Sequence, residues 1–385
     1  LTSDLVGLYV HVPFCSLKCF YCDFAAVAHH GHLAERYLRA LEREAALKTP
    51  RVRRRLQGLF DTVYIGGGTP SELSAEQIGE LFRVLKRAYI GLNPAEITFE
   101  CNPESTTPEK LEALAAAGVT RLSLGLQTAD NDLLRGIGRR HTAEDFLAVF
   151  QSARRLGLWD ISVDLMYNLP GQSVQSCLDS LRLVLDLDPE HVSVYGLQVE
   201  DQTLFDRRGV SPDESVGRDS FEACLDGLAA AGYRHYEVSN FAKPGREAQH
   251  NLNYWRNGTY EGLGCGAARY IDGVRSTNID RLVPYMEAVE AGRDPVEESE
   301  TLTGKARHGE DFMLGLRLVD GFKPVQPAEA AFTFELAALE DRGLLRRTPE
   351  GMYALTRDGL FLGNQVFREF VPPFSPASRV DTSAA

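Results

Sequence analysis

Short apolar runs rich in β-branched residues recur along the first 200 residues, at Leu5–Val12, Thr62–Ile65, Glu96–Phe99, Thr120–Leu124, Ile161–Leu165 and Val192–Leu197. Runs of this length, apolar on both alternating faces, read as strands covered on both sides. Stretches with helical spacing separate them: Leu33–Leu47, Ala75–Ala88, Pro108–Ala117, Ala143–Leu156, Val174–Leu185 and Asp213–Ala231. In the last of these, Phe221, Cys224, Leu225 and Leu228 share one face, as packing on a sheet requires. Strand and helix in alternation predict parallel strands joined by helical crossovers. Six such units are too few for a closed eightfold barrel. The pattern therefore predicts an α/β fold, a partial, open (β/α)6 barrel over residues 1–240, with its active site at the carboxyl ends of the strands.

Near Lys243–Glu247 this rhythm gives way to a charged connection containing Gly and Pro. Residues 241–374 are expected to form a second, α+β domain. Helices are predicted at Thr303–Leu318 and Ala328–Arg342, a hairpin at Leu344–Thr348 and Met352–Thr356 around Pro349-Glu350-Gly351, and a final helix at Arg357–Glu369. That order predicts a winged-helix-like module. The tail Ser375–Ala385, small and polar, is expected to be disordered. Winged helices often bind DNA, but 41 basic against 54 acidic residues give a formal charge of −13. A general nucleic-acid binder needs a basic face, so no nucleic-acid partner is expected. The run Arg51 to Arg55 (RVRRR) is read as a solvated, loop-facing cluster. No apolar stretch approaches the roughly 18 residues needed to span a bilayer, and no export signal leads the chain, so a cytoplasmic location is expected.

The chemistry concentrates in YVHVPFCSLKCFYCDF, where Cys15, Cys19 and Cys22 form a C-x3-C-x2-C loop directly after the first strand. Three thiolates on a four-iron cube leave one iron without a protein ligand. The alternative is structural zinc, which closes with four ligands, and His11, Asp23, His29 and His30 are the neighbouring candidates for a fourth. An odd number of cysteines speaks against a disulfide framework. Cys101, Cys177, Cys224 and Cys265 stand apart in sequence and read as small buried side chains. At other strand ends lie Gly66-Gly67-Gly68-Thr69-Pro70, Glu100, Gln127 and Asp164, with Arg139 in the region after Gln127. A triple glycine permits close approach to the backbone, or is simply a tight turn. An acceptor, an amide, a carboxylate and a cation on one rim suit a zwitterionic ligand with ribose hydroxyls.

The cysteine spacing matches the cluster loop of the radical S-adenosylmethionine (SAM) superfamily. With Tyr9-Val-His11-Val-Pro-Phe-Cys15, GGGTP, SLGLQ at Ser123–Gln127 and VDLMYNLPG at Val163–Gly171, the chain resembles the oxygen-independent coproporphyrinogen III oxidase group over most of its first 240 residues. The resemblance implies a [4Fe-4S] cluster on Cys15, Cys19 and Cys22, with SAM chelating the open iron. It implies that Tyr9, Tyr21, Gly67, Gly68, Thr69 and Glu100 lie near that SAM. Gln127, Arg139 and Asp164 match positions that hold a second SAM in the oxidases.

Two departures separate the chain from the oxidases. Cys22 is followed by Asp23-Phe24, where the oxidases add a further cysteine two residues after the third, and the loop comes almost at once in this chain. Both features look like HemW, a relative regarded as a haem chaperone. Gln249-His250-Asn251-Leu252-Asn253-Tyr254-Trp255 is similar to the HNxxYW segment of that family, in which the histidine is associated with haem. A neutral imidazole suits haem iron and aromatic neighbours suit a porphyrin. Taken alone, the same histidine is more often a packed or hydrogen-bonded residue. The segment Gly262-Leu-Gly264-Cys265-Gly266-Ala267-Ala268-Arg269 lacks the histidine and serine that commonly follow GxGxGA in the family. The resemblance implies haem as cargo and a recipient protein, a respiratory, membrane-associated one being the class considered, with a homodimer left open and the electron donor unidentified. Cluster and SAM would then regulate conformation or oligomerisation. The alternative is the oxidase reaction, in which a 5′-deoxyadenosyl radical takes hydrogen from a propionate and loss of carbon dioxide leaves a vinyl group. A third alternative is a radical SAM enzyme acting on another substrate.

Overall fold

The structure is a computed structural model and describes residues 5–23, 25–28, 31–56, 60–89, 92–158 and 160–374. Phe24, His29, His30 and the tail 375–385, on which expectations were placed above, lie outside the described residues. Six parallel neighbours form the centre of one sheet: β1 (Val6–Val12), β2 (Thr62–Gly67), β3 (Glu96–Cys101), β4 (Arg121–Gln127), β5 (Asp160–Tyr167) and β6 (His191–Gly196). All seven residues of β4 are buried, as expected of a strand covered on both faces. The connecting helices are α1 (Ala34–Leu56), α2 (Ala75–Ala88), α3 (Pro108–Ala117), α4 (Ala143–Arg155), α5 (Val174–Leu187) and α6 (Glu214–Ala230). Their starts follow local chemistry: Ser74 with Gln77, and Thr142 with Asp145, close reciprocal capping boxes that satisfy amides at the starts of α2 and α4. Gly118, at φ +92°, ends α3 in the left-handed conformation that glycine adopts without steric cost.

The sheet does not end at residue 240. β7 (Arg234–Glu237) and β8 (Asn240–Ala242) extend it antiparallel beyond β6. On the opposite edge β9 (Thr259–Leu263) pairs parallel to β1, and β10 (Ala268–Ile271), β11 (Val274–Asn278) and β12 (Val296–Thr301) continue antiparallel. Leu263, Tyr285 and Met286 belong to the same apolar core as Val10, Ile65, Phe99 and Val163. The boundary expected at residue 240 is thus corrected: residues 259–301 complete the first unit. The Arg51 to Arg55 run is corrected too. It forms the last turns of α1, where Arg51 pairs with Glu261 at 2.9 Å and Arg55 with Asp272 at 3.2 Å.

A second core gathers Phe312, Phe332, Leu336, Tyr353, Val366 and Phe370. It joins α9 (Gly304–Gly315), α10 (Gln326–Ala331), α11 (Thr333–Asp341), the hairpin β13 (Leu345–Arg347) and β14 (Tyr353–Leu355), then α12 (Arg357–Phe361) and α13 (Gly363–Arg368). Two helices expected to be continuous break instead, at Phe332 and Leu362. The earlier segments α7 (Gln249–Trp255) and α8 (Leu282–Glu290) belong to the first unit. The two units meet closely: the Val238 amide donates to the Arg317 carbonyl at 3.0 Å, Val319 to Tyr236 at 3.2 Å, and Arg218 pairs with Asp358 at 2.7 Å. Among the described residues, no helix is long and apolar enough to cross a membrane.

Candidate cofactor and ligand cavity

Backbone bonds on both sides hold the cysteine loop at the carboxyl end of β1. Phe14–Cys15 pairs with Val27–Ala28, the Gly68 and Thr69 amides donate to Val12 and Phe14, and the Phe20 amide donates to Ile137. His11 fastens the loop from inside. Its Nε2 donates to the Ala25 carbonyl at 2.8 Å, so the neutral ring accepts at Nδ1 from the Tyr9 hydroxyl at 2.9 Å. Burial holds its pKa below the usual value, in keeping with a neutral ring. With both nitrogens occupied, His11 is not a fourth metal ligand. Two of the three glycines, Gly67 and Gly68, serve this packing. Gly67 sits at φ +113° and a Cβ there would meet the His11 ring at 2.6 Å, while one on Gly68 would meet the Phe14 carbonyl at 2.8 Å. Glycine is needed because the strand end passes against the loop.

Beneath the loop opens a cavity of 660 Å³. Its lining includes Cys15, Cys19, Cys22, Tyr21, Gly67, Gly68, Thr69, Glu100, Gln127, Arg139 and Asp164, residues picked from sequence and scattered over 150 positions. The ends of β2 through β6 all reach this one space, so the sheet must curl around it, as a partial barrel does. Glu100, Asp164 and Gln127 each have a supporting contact. The Tyr64 hydroxyl donates to Glu100 Oε1 at 2.7 Å and the Gly67 amide to Oε2 at 3.1 Å. Ser123 donates to Asp164 at 3.1 Å, and Tyr195 to Gln127 Oε1 at 3.2 Å. Burial pushes the Glu100 carboxyl up to about 7 and Asp164 up to about 6. Both are therefore poised to become fully ionised when a cation arrives.

The complementary charge is Arg139. It lies buried beside Tyr21, whose hydroxyl accepts from Nη2 at 3.5 Å, and 3.9 Å from Glu104. Its Nε and Nη1 are buried without a hydrogen-bond partner. An orphaned guanidinium edge beside carboxylates fits a ligand carrying both an acidic and a basic group. Among the described residues no three His, Cys, Asp or Glu side chains stand close enough to hold a single metal ion. The three thiols nevertheless line one cavity from one loop, the donor type an iron–sulfur cluster takes.

Two expected residues lie elsewhere. Tyr9 does not line the cavity; its ring stands behind Tyr64, with 6.3 Å between centroids, and supports His11. His250 lies farther from the cavity. It is wholly buried in α7 at the opposite, amino-terminal end of the strands. There Nδ1 shares a hydrogen with Thr62 Oγ1 and Nε2 with the Tyr254 hydroxyl, both at 2.8 Å. Glu96 accepts the Gln249 and His250 amides at 2.9 and 3.0 Å, capping α7. In this geometry the ring is a packed residue that anchors a plug under the barrel, with no free nitrogen for iron. The isolated reading of Cys177 and Cys224 changes as well, since their sulfurs lie 3.6 Å apart between α5 and α6. Sequence reasoning also missed the far wall of the cavity, which Arg317, Phe361, Asn364, Gln365 and Phe367 bring from the second unit. Isolated polar residues 100 or more positions downstream carried no local signal.

Comparison with known proteins agrees with this arrangement. The profile of the Radical SAM superfamily matches residues 9–184. The protein named heme chaperone HemW of Bacillus subtilis is 37% identical over 380 residues, covering 94% of this chain and 98% of that one. Its namesake in Lactococcus lactis is 36% identical, covering 94% and 96%. The solved structure described as coproporphyrinogen III oxidase from Escherichia coli, a radical SAM enzyme, superposes with a TM-score of 0.82 at 25% identity, over 96% of this chain and 90% of that one. Conserved architecture across both units, together with near-complete coverage at this identity, places the chain in the HemW family of the radical SAM superfamily.

Proposed function

We propose that this protein is a haem chaperone that binds haem and delivers it to a recipient protein, with a [4Fe-4S] cluster and SAM as resident cofactors. The observation that carries the reading is the 37% identity spanning 94% of the chain to a protein named heme chaperone, over a fold whose cavity gathers the cysteine loop and the polar strand ends. Cys15, Cys19 and Cys22 would hold the cluster, and a four-iron cluster with one open iron supplies one-electron chemistry when bound. Glu100 and Asp164 would receive amino or hydroxyl groups of SAM and Arg139 a carboxylate, with Gln127, Tyr21, Gly67, Gly68 and Thr69 shaping the space. Tyr9 contributes by holding His11 and hence the loop. The second unit, read as winged-helix-like, would serve as a lid and partner surface over the cavity mouth. Recipient contact and any dimer would be built on it. An anaerobic titration of the reconstituted protein with haem tests the reading. Saturable binding that survives gel filtration is expected, and absence of retained haem would reject it.

A further inference from the structure

Arg317 is the cation of the cavity wall contributed by the second unit, and its situation is unusual. Its guanidinium carbon lies 4.8 Å from the centroid of the Trp255 ring and 4.5 Å from that of Phe367, so the planar group is clamped between two aromatic faces. Among the described residues it makes no ion pair. Its Nε is shut away from water without a hydrogen-bond partner. Glu237, a carboxylate that acts on it electrostatically, is itself buried and raised to about 7, so compensation from that side is incomplete near neutral pH. A cation fixed in place, part-dehydrated and facing a cavity is a receptor for an anion, and the planar fork favours a carboxylate. Phe221 and Phe361, 5.6 Å apart by ring centroids, extend the same wall as an apolar surface.

We infer that Arg317 receives a propionate carboxylate of the tetrapyrrole cargo, whose flat ring lies along the aromatic wall on the far side of the cavity from the cysteine loop. The inference rests on the haem reading above and names the anchor for it within this chain. It gives Arg317 a role that a simple strut between two aromatic rings does not have: discrimination by cargo charge.

The test compares haem with haem dimethyl ester, in which both propionates are neutral, by following the Soret band of anaerobically reconstituted protein. The wild type is expected to bind haem ~10-fold or more tightly than the diester, the effect of one charge-assisted hydrogen bond. Arg317→Gln should lose ~10-fold in haem affinity, leave diester affinity unchanged and no longer distinguish the two, with the band position unmoved. Equal affinities of the wild type for both forms would overturn the inference without any variant. So would an Arg317→Gln protein that keeps the wild-type preference. A wild type that binds neither form would remove the haem reading and this inference with it, whereas diester binding as tight as haem binding would remove the inference alone.

Discussion

Replacing His250 by alanine separates a packed imidazole from a haem ligand, because the two roles predict opposite readouts. The ring is wholly buried and bonds two hydroxyls, Thr62 Oγ1 and the Tyr254 OH, each at 2.8 Å. Its removal strands both hydroxyls in the interior, at about 1–3 kcal/mol each, and leaves a hole against Gly7 and Tyr64. Partial relaxation reduces the sum, so a loss of about 3–5 kcal/mol is expected. Burial lowers the His250 pKa to about 3 against an ordinary value of 6.5. The folded ring stays neutral while the unfolded chain takes up a proton below 6.5. The ring's contribution is therefore complete above pH 6.5 and falls as pH drops toward 3, by at most ~1.4 kcal/mol per unit. Urea unfolding at pH 7.5 and 5 should show the difference between wild type and His250→Ala shrinking at the lower pH. Haem titration of the folded variant should leave the Soret band where it stands in the wild type. An unchanged unfolding midpoint together with a displaced Soret band would refute the packing argument and return His250 to the iron.

Other perturbations address the cavity. Cys19→Ala should abolish the broad visible absorption and acid-labile iron of anaerobically reconstituted protein; iron content equal to the wild type would end the cluster assignment. Gly67→Ala forces a side chain into a left-handed backbone and against His11, so cluster yield after reconstitution should fall sharply while far-ultraviolet circular dichroism stays near normal. Glu100, raised to about 7 by burial, binds its proton more tightly in the fold than unfolded. The cluster-free protein therefore loses stability as pH rises from 4.5 through 7, and Glu100→Gln should raise its melting temperature at pH 8 more than at pH 5. A melting shift of equal size at both pH values would count against the buried, uncompensated carboxylate.

The six central strands could be read from sequence because strands buried on both faces leave unbroken apolar runs, and the intervening helices show their own period. What escaped was set by tertiary pairing. β9 to β12 are short, mixed segments that become strands only by adding to the edge of β1. The last turns of α1 were hidden by Pro50, which usually ends a helix but here lies within one that ion pairs to Glu261 and Asp272 hold down. In the cavity, thiols and glycines at fixed spacing announced themselves, and so did polar residues at strand ends. His250 could be read two ways because an imidazole among aromatics satisfies both a porphyrin site and a hydrogen-bonded core. The positions of Thr62 and Tyr254, which supply the hydrogen-bonded core, carried no signal in sequence. Arg317 left no trace at all, since its partners Trp255 and Phe367 come from distant parts of the chain.

Haem handling, as against tetrapyrrole chemistry, is most directly tested by mass analysis. Protein with a verified four-iron cluster and bound SAM is incubated anaerobically with coproporphyrinogen III, haem and a strong reductant, and the tetrapyrroles are then analysed with the protein-bound and free fractions separated. The account predicts unaltered coproporphyrinogen and haem recovered intact with the protein. Stepwise loss of carbon dioxide from coproporphyrinogen, with haem left in the free fraction, would contradict it and establish an oxidase.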